Sequence, residues 1–228
     1  MTQPATTIAV GLRHQGRDTG MAGEASTLGS VNEPPVVACG RMALPREYET
    51  QACALAQAME VVGERWTLLI LRDLFFGVTR FSDLQAHLDI PRAVLTARLS
   101  LLVDTGVAER RLYAPGRFEH VLTRAGLELW PIVHRLMQWG ERHLVSDGPV
   151  RLFAHATCGT DLAHDGGCPT CGTAPPPADI ETRPGPATPR VARVDPISVA
   201  LRRPHRLLTP LTAGPRRSDA DRRRPHSR

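Results

Sequence analysis

The sequence predicts a mostly α-helical protein with one small β-hairpin, and three observations support this fold class. Apolar residues recur at three- and four-residue spacing in several segments between residues 53 and 144, as on one buried face of an α-helix. Two short β-type runs, at residues 107–113 and 118–122, flank a proline-glycine turn. Histidine and cysteine pairs at residues 155–171 then have the spacing of a zinc knuckle.

Glycines mark the ends of the first helices. A short additional helix is expected after Phe81, with Ser82 as its N-cap. Pro91 is acceptable in the first turn of the helix that follows it. The segments that end at a glycine are residues 53–62 before Gly63, residues 66–76 before Gly77 and residues 91–105 before Gly106.

A last long helix is expected after the hairpin. Thr123 can cap it, it extends to about Leu144, and Pro131 should bend it. Its apolar side has more surface than one small domain needs. That side carries Leu127, Trp130, Val133, Met137, Gly140 and Leu144.

Three helices followed by a hairpin are the order of a winged helix-turn-helix. In that fold the second helix of the turn enters the DNA major groove and the hairpin reaches the neighbouring backbone or minor groove. The sequence therefore predicts a winged helix-turn-helix with a short C-terminal zinc-knuckle appendage, and double-stranded DNA as the partner.

The charge of the chain is carried by arginine alone. The 28 basic residues include no lysine, and the formal net charge is +5. Residues 174–228 hold 12 arginines against 5 acidic residues, so the excess lies in the tail. That tail could attract polyanions weakly, or its composition could have no function. Between residues 92 and 117, five arginines face two acids, which gives the predicted helix and wing a local positive patch.

The candidate DNA-binding residues lie in this patch. Arginine pairs with guanine through two hydrogen bonds, and alanine or threonine methyl groups contact thymine, although Arg92 could instead touch only phosphate. Arg98 could contact DNA or pair with Asp104 or another acid. Arg117 at the wing tip is the clearest candidate for a phosphate or the minor groove. The full set is Arg92, Ala93, Thr96, Arg98, Arg110 and Arg117.

Four side chains form the candidate metal site: His155, Cys158, Cys168 and Cys171. Zinc takes four nitrogen or sulfur ligands, a two-residue spacing lets both ligands of a pair reach one ion, and the glycine after Cys158 and Cys171 permits a tight turn. Such a site is structural rather than catalytic because protein fills every position. His164 is an alternative ligand, and a degenerate remnant is the alternative to a working site.

Several motifs in register resemble the HxlR-type bacterial transcriptional regulators. They are Cys53, VGERWTLLILRDLFFG at 62–77, RFSDL at 80–84, LTARL at 95–99, GVAER at 106–110, RFEHVLT at 117–123 and Gly126. The resemblance covers about residues 50–145. The sequence departs from the family at Pro91, where a serine is usual, and at His120, where a tyrosine is usual, and both affect the detail of DNA contact.

The resemblance implies a homodimer in which the first and last helices form the interface. A twofold dimer implies a pseudo-palindromic operator. Cys53 matches a cysteine that some members use to sense electrophiles or oxidants. A small half-buried residue in the dimer interface is the alternative role for Cys53.

The predicted organisation has four parts: a disordered segment at 1–45, the HxlR-type winged-helix DNA-binding and dimerisation domain at 46–150, a zinc-knuckle segment at 151–174, and a disordered Pro/Arg-rich tail at 175–228. The N-terminus resembles no secretion signal and no apolar run reaches membrane-spanning length, so a soluble cytoplasmic protein is expected.

The expected function is sequence-specific transcriptional regulation, with repression as its mode. No Gly-rich phosphate loop or nucleophile elbow is found, so an enzyme is not expected. The alternative is a protein-interaction adaptor that uses the zinc knuckles and the arginine-rich tail and has little specific affinity for DNA.

Overall fold

The structure is a computed structural model, and it describes residues 53–189 and 193–211. The disordered segment predicted at 1–45 and the end of the tail at 212–228 lie outside the described residues. The elements of the first half are α1 (Ala54–Val62), α2 (Arg65–Phe75), α3 (Phe81–Leu88), α4 (Arg92–Asp104), β1 (Ala108–Ala114), β2 (Arg117–Leu122), α5 (Arg124–Leu127) and α6 (Trp130–Leu144). The second half has β3 (Arg151–His155), a 3-10 turn (Pro177–Asp179), β4 (Ile180–Pro184), α7 (Pro196–Ala200) and β5 (His205–Arg206).

Helices α2, α3 and α4 form the predicted helix-turn-helix around one core. Their periodic apolar residues are buried, including Ile70, Leu84 and Leu95, none of which is exposed to solvent. This burial supplies most of the stabilising free energy that an amphipathic helix lacks in isolation.

The helix ends follow the sequence prediction at two glycines and depart from it at a serine. Gly77 and Gly106 have φ values of +83° and +72°, which confirms them as left-handed stops after α2 and α4. The N-cap of α3 is Arg80, so the prediction of Ser82 as N-cap is wrong. The Ser82 hydroxyl lies inside the helix and donates to the neighbouring Asp83 carboxylate at 3.3 Å.

The last helix is divided into α5 and α6. Thr123 caps α5 as predicted, because its hydroxyl oxygen accepts the Gly126 amide at 3.3 Å. The single bent helix predicted through Pro131 is wrong, since Pro131 lies in the first turn of α6. Proline fits there without a bend because the first-turn amides have no partner inside the helix.

The wing is an antiparallel pair of β1 and β2. Arg110 pairs with His120 and Leu112 with Phe118, with an irregularity before the turn. Gly116 has a φ of +68°, which the tight reversal at the tip requires.

The disordered tail predicted from residue 175 is wrong for residues 175–189 and 193–211. Strand β4 pairs with β3, and β5 pairs with β4, in a three-stranded antiparallel sheet. The predicted boundary at 174/175 therefore falls inside one structural unit. Ile180, Ile197 and Leu207 of this region are buried. A proline-rich segment with few apolar residues cannot build its own core. These three residues are instead buried in the same hydrophobic core as the apolar residues of α2.

An aromatic cluster joins the sheet to the helices. The Phe153 ring on β3 lies with its centroid 6.4 Å from Phe76, 5.5 Å from Trp130 and 5.1 Å from His134. Trp130 is in turn 5.1 Å from Phe75. Such ring pairs add to the free energy of area burial, so the sheet and α6 share one core.

Leu207→Ala should test whether the tail residues are part of the folded core. Leu207 is 1% exposed, so its truncation should lower the free energy of unfolding by about 2–5 kcal/mol in chemical denaturation. Val194→Ala, at a side chain 87% exposed in the same region, is the control and should have little effect. Equal stability of the two variants would contradict this packing.

Stability should also fall in acid because of His134. Burial first, and then the charges of Arg135 and His164, lower the pKa of His134 to about 4 from an ordinary value near 6.5. The unfolded chain takes up a proton as the pH falls below 6.5 while the folded imidazole stays neutral, so folding loses up to about 3 kcal/mol between pH 6.5 and 4.

This loss should be smaller in His134→Gln and unchanged in His143→Gln, which alters an exposed histidine of the same helix. The measurement is urea unfolding at pH 7 and pH 5. A wild-type pH dependence that His134→Gln preserves would rule out this assignment.

Candidate nucleic-acid interface and metal site

A cleft of about 710 Å³ lies between α4 and the wing. Four of the six predicted DNA-binding residues line it: Arg92, Thr96, Arg110 and Arg117. Ala93 is exposed on the first turn of α4 but does not line the cleft. The cleft therefore brings the start of the predicted recognition helix and the wing to one surface.

Three guanidinium groups on this surface lie over aromatic rings. Arg92 lies 5.0 Å from the Phe81 ring centroid, and Arg110 lies 4.3 Å from that of Phe118. Arg80 lies 4.5 Å from the ring of Tyr113. Stacking restricts the side chain and leaves the in-plane N–H donors for an anion, so less entropy is lost on binding phosphate or a base.

The Thr96 hydroxyl is used within α4. It donates to the Arg92 carbonyl at 2.9 Å, one turn earlier. This bond satisfies the hydroxyl donor on an exposed face. The arrangement is compatible with the predicted methyl contact to thymine.

Glu119 fixes the wing to the rest of the helix-turn-helix. It accepts hydrogen bonds from the Thr79 hydroxyl at 2.8 Å and from Arg111 Nε at 3.0 Å. Burial raises the pKa of Glu119, but these hydrogen bonds and the charges of Arg111 and Arg80 outweigh it, so the pKa lies below its usual value. Arg111 is therefore engaged inside the wing, whereas Arg110 on the other face points to the cleft.

His120 stands where the related family usually has tyrosine. Burial first, and then the positive charge of Arg110, lower the pKa of His120. The imidazole is therefore held neutral beside the arginines that line the cleft. This substitution keeps a ring in the wing without adding charge to it.

Arg98 and Cys53 lie away from the cleft. Arg98 forms an ion pair with Glu64 at 3.3 Å, so the acidic partner that the sequence left open is Glu64 rather than Asp104. Cys53 is exposed at the N-cap position of α1. A sensing role for Cys53 stays a prediction.

The aromatic partners of the arginines are not among the site residues that the sequence predicts. Tyr113 and Phe118 lie in the two segments that the sequence predicts as β-strands, and Arg80 lies just before a predicted helix. The hairpin register could have indicated the contact between Arg110 and Phe118. Pairing across the Pro115-Gly116 turn places these two residues on one face of the hairpin, together with Leu112 and His120. The contact between Arg80 and Tyr113 depends on how the wing packs on α3, which the register does not give.

The predicted metal ligands lie together. His155, Cys158, Cys168 and Cys171 each offer a ligand atom, and all four atoms lie within 4.8 Å of one another. The Cys158 and Cys168 sulfurs are 3.4 Å apart. Sulfurs bound to one tetrahedral zinc lie roughly 3.8 Å apart, because Zn–S bonds are about 2.3 Å long. His164 is outside this group.

Two similar turns build the cluster. The Gly159 amide donates to the His155 carbonyl at 2.8 Å, and the Gly172 amide donates to the Cys168 carbonyl at 2.8 Å. Both glycines have positive φ, +72° and +67°. Each pair of ligands therefore points from the same kind of tight turn toward one point.

The charges of the thiols also suit a cation. Hydrogen bonds from Thr160 first, and then from Cys168 and Cys171, lower the pKa of Cys158 to about 6. The Cys171 thiol donates to the sulfurs of Cys158 and Cys168, and these hydrogen bonds raise the pKa of Cys171 to about 11. One thiolate thus forms readily and a second is opposed by the first, unless a bound metal ion neutralises them.

Comparisons with known proteins find relatives of the helix-turn-helix part of the chain. Residues 61–147 match the HxlR-like helix-turn-helix family. The HTH-type transcriptional regulator Rv3095 of Mycobacterium tuberculosis is 43% identical over 136 residues, which cover 58% of this chain and 86% of that protein. An HTH-type transcriptional regulator of Methanothermobacter thermautotrophicus is 32% identical over 94 residues, which cover 40% of this chain and 72% of that protein. The solved structure of PA1607 has 32% identity and a TM-score of 0.43, covering 49% of this chain and 89% of that chain.

The helix-turn-helix and these relatives define a DNA-binding transcriptional regulator, which is a non-enzymatic class of protein. The chain belongs to the HxlR-like helix-turn-helix family, as the sequence motifs predicted. The relatives do not favour the adaptor alternative. Among the described residues, no helix is long and apolar enough to cross a membrane.

Proposed function

We propose that the protein binds a specific pseudo-palindromic operator as a homodimer and represses transcription there. The observation that carries this proposal is the cleft between α4 and the wing, where the exposed side chains of Arg92 and Arg110 lie over aromatic rings. A repressor of this kind needs no partner other than DNA, because a dimer bound to the operator blocks the access of other proteins to that DNA.

Helix α4 reads the bases in this proposal. Arg92, Ala93 and Thr96 are exposed on its first turns, which is the part of a recognition helix that meets base edges. Arg110 and Arg117 of the wing contact phosphates or the minor groove. Arg98 ranks below these residues because contact with DNA would cost its ion pair with Glu64.

The dimer uses α1 and α6. Leu55 and Met59 on α1 are exposed, as are Ile132, Leu136 and Trp139 on α6. Exposed apolar side chains on two helices favour association with another surface, and a twofold dimer buries the same patch on both copies.

Substitution of Arg92 and Arg117 should separate base reading from phosphate contact. The probe is a duplex selected from a randomised DNA pool by the purified protein. Arg92→Ala should weaken binding by about 1–3 kcal/mol and relax the preference at one base pair. Arg117→Ala should weaken binding to all duplexes and lower the slope of log affinity against log salt by about 1.

Arg124→Ala is the matched control, because that arginine is 95% exposed and outside the cleft. It removes the same charge and should leave the base preference intact. If Arg92→Ala and Arg117→Ala bind as the control does, the cleft is not the DNA site.

We also propose that His155, Cys158, Cys168 and Cys171 hold a structural zinc ion. The support is the closeness of their four ligand atoms and the two glycine turns behind them. Zinc would neutralise the clustered thiolates and cross-link β3 to the loop before β4. All four positions are filled by protein, so the ion supplies stability and no reaction.

The purified chain should contain one zinc ion, measured by elemental analysis. Cys158→Ser should lose the metal because it removes one of the four ligands. Cys53→Ser should keep it, since Cys53 is an exposed cysteine outside the cluster. Equal metal content in the two variants would exclude the site.

A further inference from the structure

The C-terminal segment between residues 205 and 211, called here the strap, lies against the end of α2. The Leu208 amide donates to the Phe75 carbonyl and the Leu211 amide to the Gly77 carbonyl, both at 2.8 Å. Phe75 is the last residue of α2 and Gly77 lies two residues beyond it, and carbonyls at a helix end have no partner inside the helix. The strap therefore completes the hydrogen bonding at this helix end.

The strap is tied to the sheet that carries one of the candidate metal ligands, His155. The Leu207 amide donates to the Ile180 carbonyl at 2.9 Å, and β5 pairs with β4. Strand β4 pairs with β3, whose last residue is the ligand His155. Strand β5 has only two residues, so the sheet has few bonds of its own to hold the strap.

The end of α2 leads directly to the DNA-binding surface. Residues 77–80 run from α2 to α3, and the Thr79 carbonyl accepts the His120 amide of the wing at 2.8 Å. Thr79 also donates to Glu119, and Arg80 lies over Tyr113. A change in the backbone at Gly77 would therefore shift both the start of α3 and the position of the wing.

We propose that metal occupancy of the His/Cys cluster controls DNA affinity through the strap, so that the protein is a metal-responsive regulator. This inference rests on the proposed zinc site and the proposed DNA interface. A bound ion fixes the sheet, the sheet holds the strap on the end of α2, and the turn at 77–80 then positions the wing. Loss of the ion frees a sheet with little core of its own, and the strap is released.

A substitution at Gly77 can separate the strap from the end of α2. A methyl group at Gly77 would collide with the Thr209 carbonyl oxygen and lie 2.8 Å from its carbon. Gly106 ends α4 in the same left-handed conformation, with nothing within 4 Å of a methyl group there. Both substitutions strain the backbone alike, but only Gly77→Ala displaces the strap.

The experiment compares the full chain, zinc-loaded and chelator-treated, for affinity toward the selected duplex and for amide hydrogen exchange. Removal of zinc should weaken binding roughly 5- to 150-fold, the usual range for coupled sites. Exchange should rise together at residues 205–211 and in β2, and added zinc should restore both properties. Gly77→Ala should keep its zinc but bind DNA weakly in both states, whereas Gly106→Ala should retain the response to zinc.

The proposal is overturned if zinc binds while DNA affinity and exchange at the strap and β2 stay constant, or if Gly77→Ala responds as Gly106→Ala does. Absence of bound zinc would reject the metal site and, with it, this coupling. Failure to select any duplex would reject the DNA interface and, with it, the control of DNA affinity by the metal. The exchange measurement would then still decide whether the metal holds the strap.

Discussion

The left-handed backbone at Gly77 is the constraint from which the arrangement of the domain follows. It closes α2 with two hydrogen bonds, from Gly77 to Leu74 at 3.0 Å and from Val78 to Asp73 at 2.9 Å. The chain then reverses into α3, and the wing and the C-terminal strap attach to the same short turn. A side chain at this position would meet the strap, so only glycine satisfies both the conformation and the packing.

The electrostatics of the surface between α4 and the wing depend on specific partners for several of its arginines. Arg111 is paired with buried Glu119 and Arg98 with Glu64, so these two hold structure. Arg92 and Arg110 lie over aromatic rings, which restricts the side chain without neutralising its charge. The cleft can thus present a positive surface, because Glu119 and Glu64 are paired with arginines that do not line it.

The C-terminal region shows how a segment with few apolar residues acquires structure by packing against neighbouring elements. It has a short sheet, a His/Cys cluster and a few buried apolar residues such as Ile180 and Ile197. None of these would repay the conformational entropy of the segment alone. Packing of Phe153 against Phe76 and Trp130 joins the region to the helical core, so it behaves as another layer of the DNA-binding domain rather than as a tail.

The amino-acid sequence by itself determined α1 to α4, the hairpin, the glycine stops at Gly77 and Gly106, the family and the grouping of the candidate metal ligands. These features depend on local period, turn chemistry and short spacing, which are written in neighbouring residues. Only the tertiary structure decided that α5 and α6 are separate, that Arg98 pairs with Glu64, that aromatic rings support Arg80, Arg92 and Arg110, and that residues 175–189 and 193–211 fold. Each of these depends on contacts between segments distant along the chain, and hydrophobic periodicity gives no information about which distant surfaces will meet.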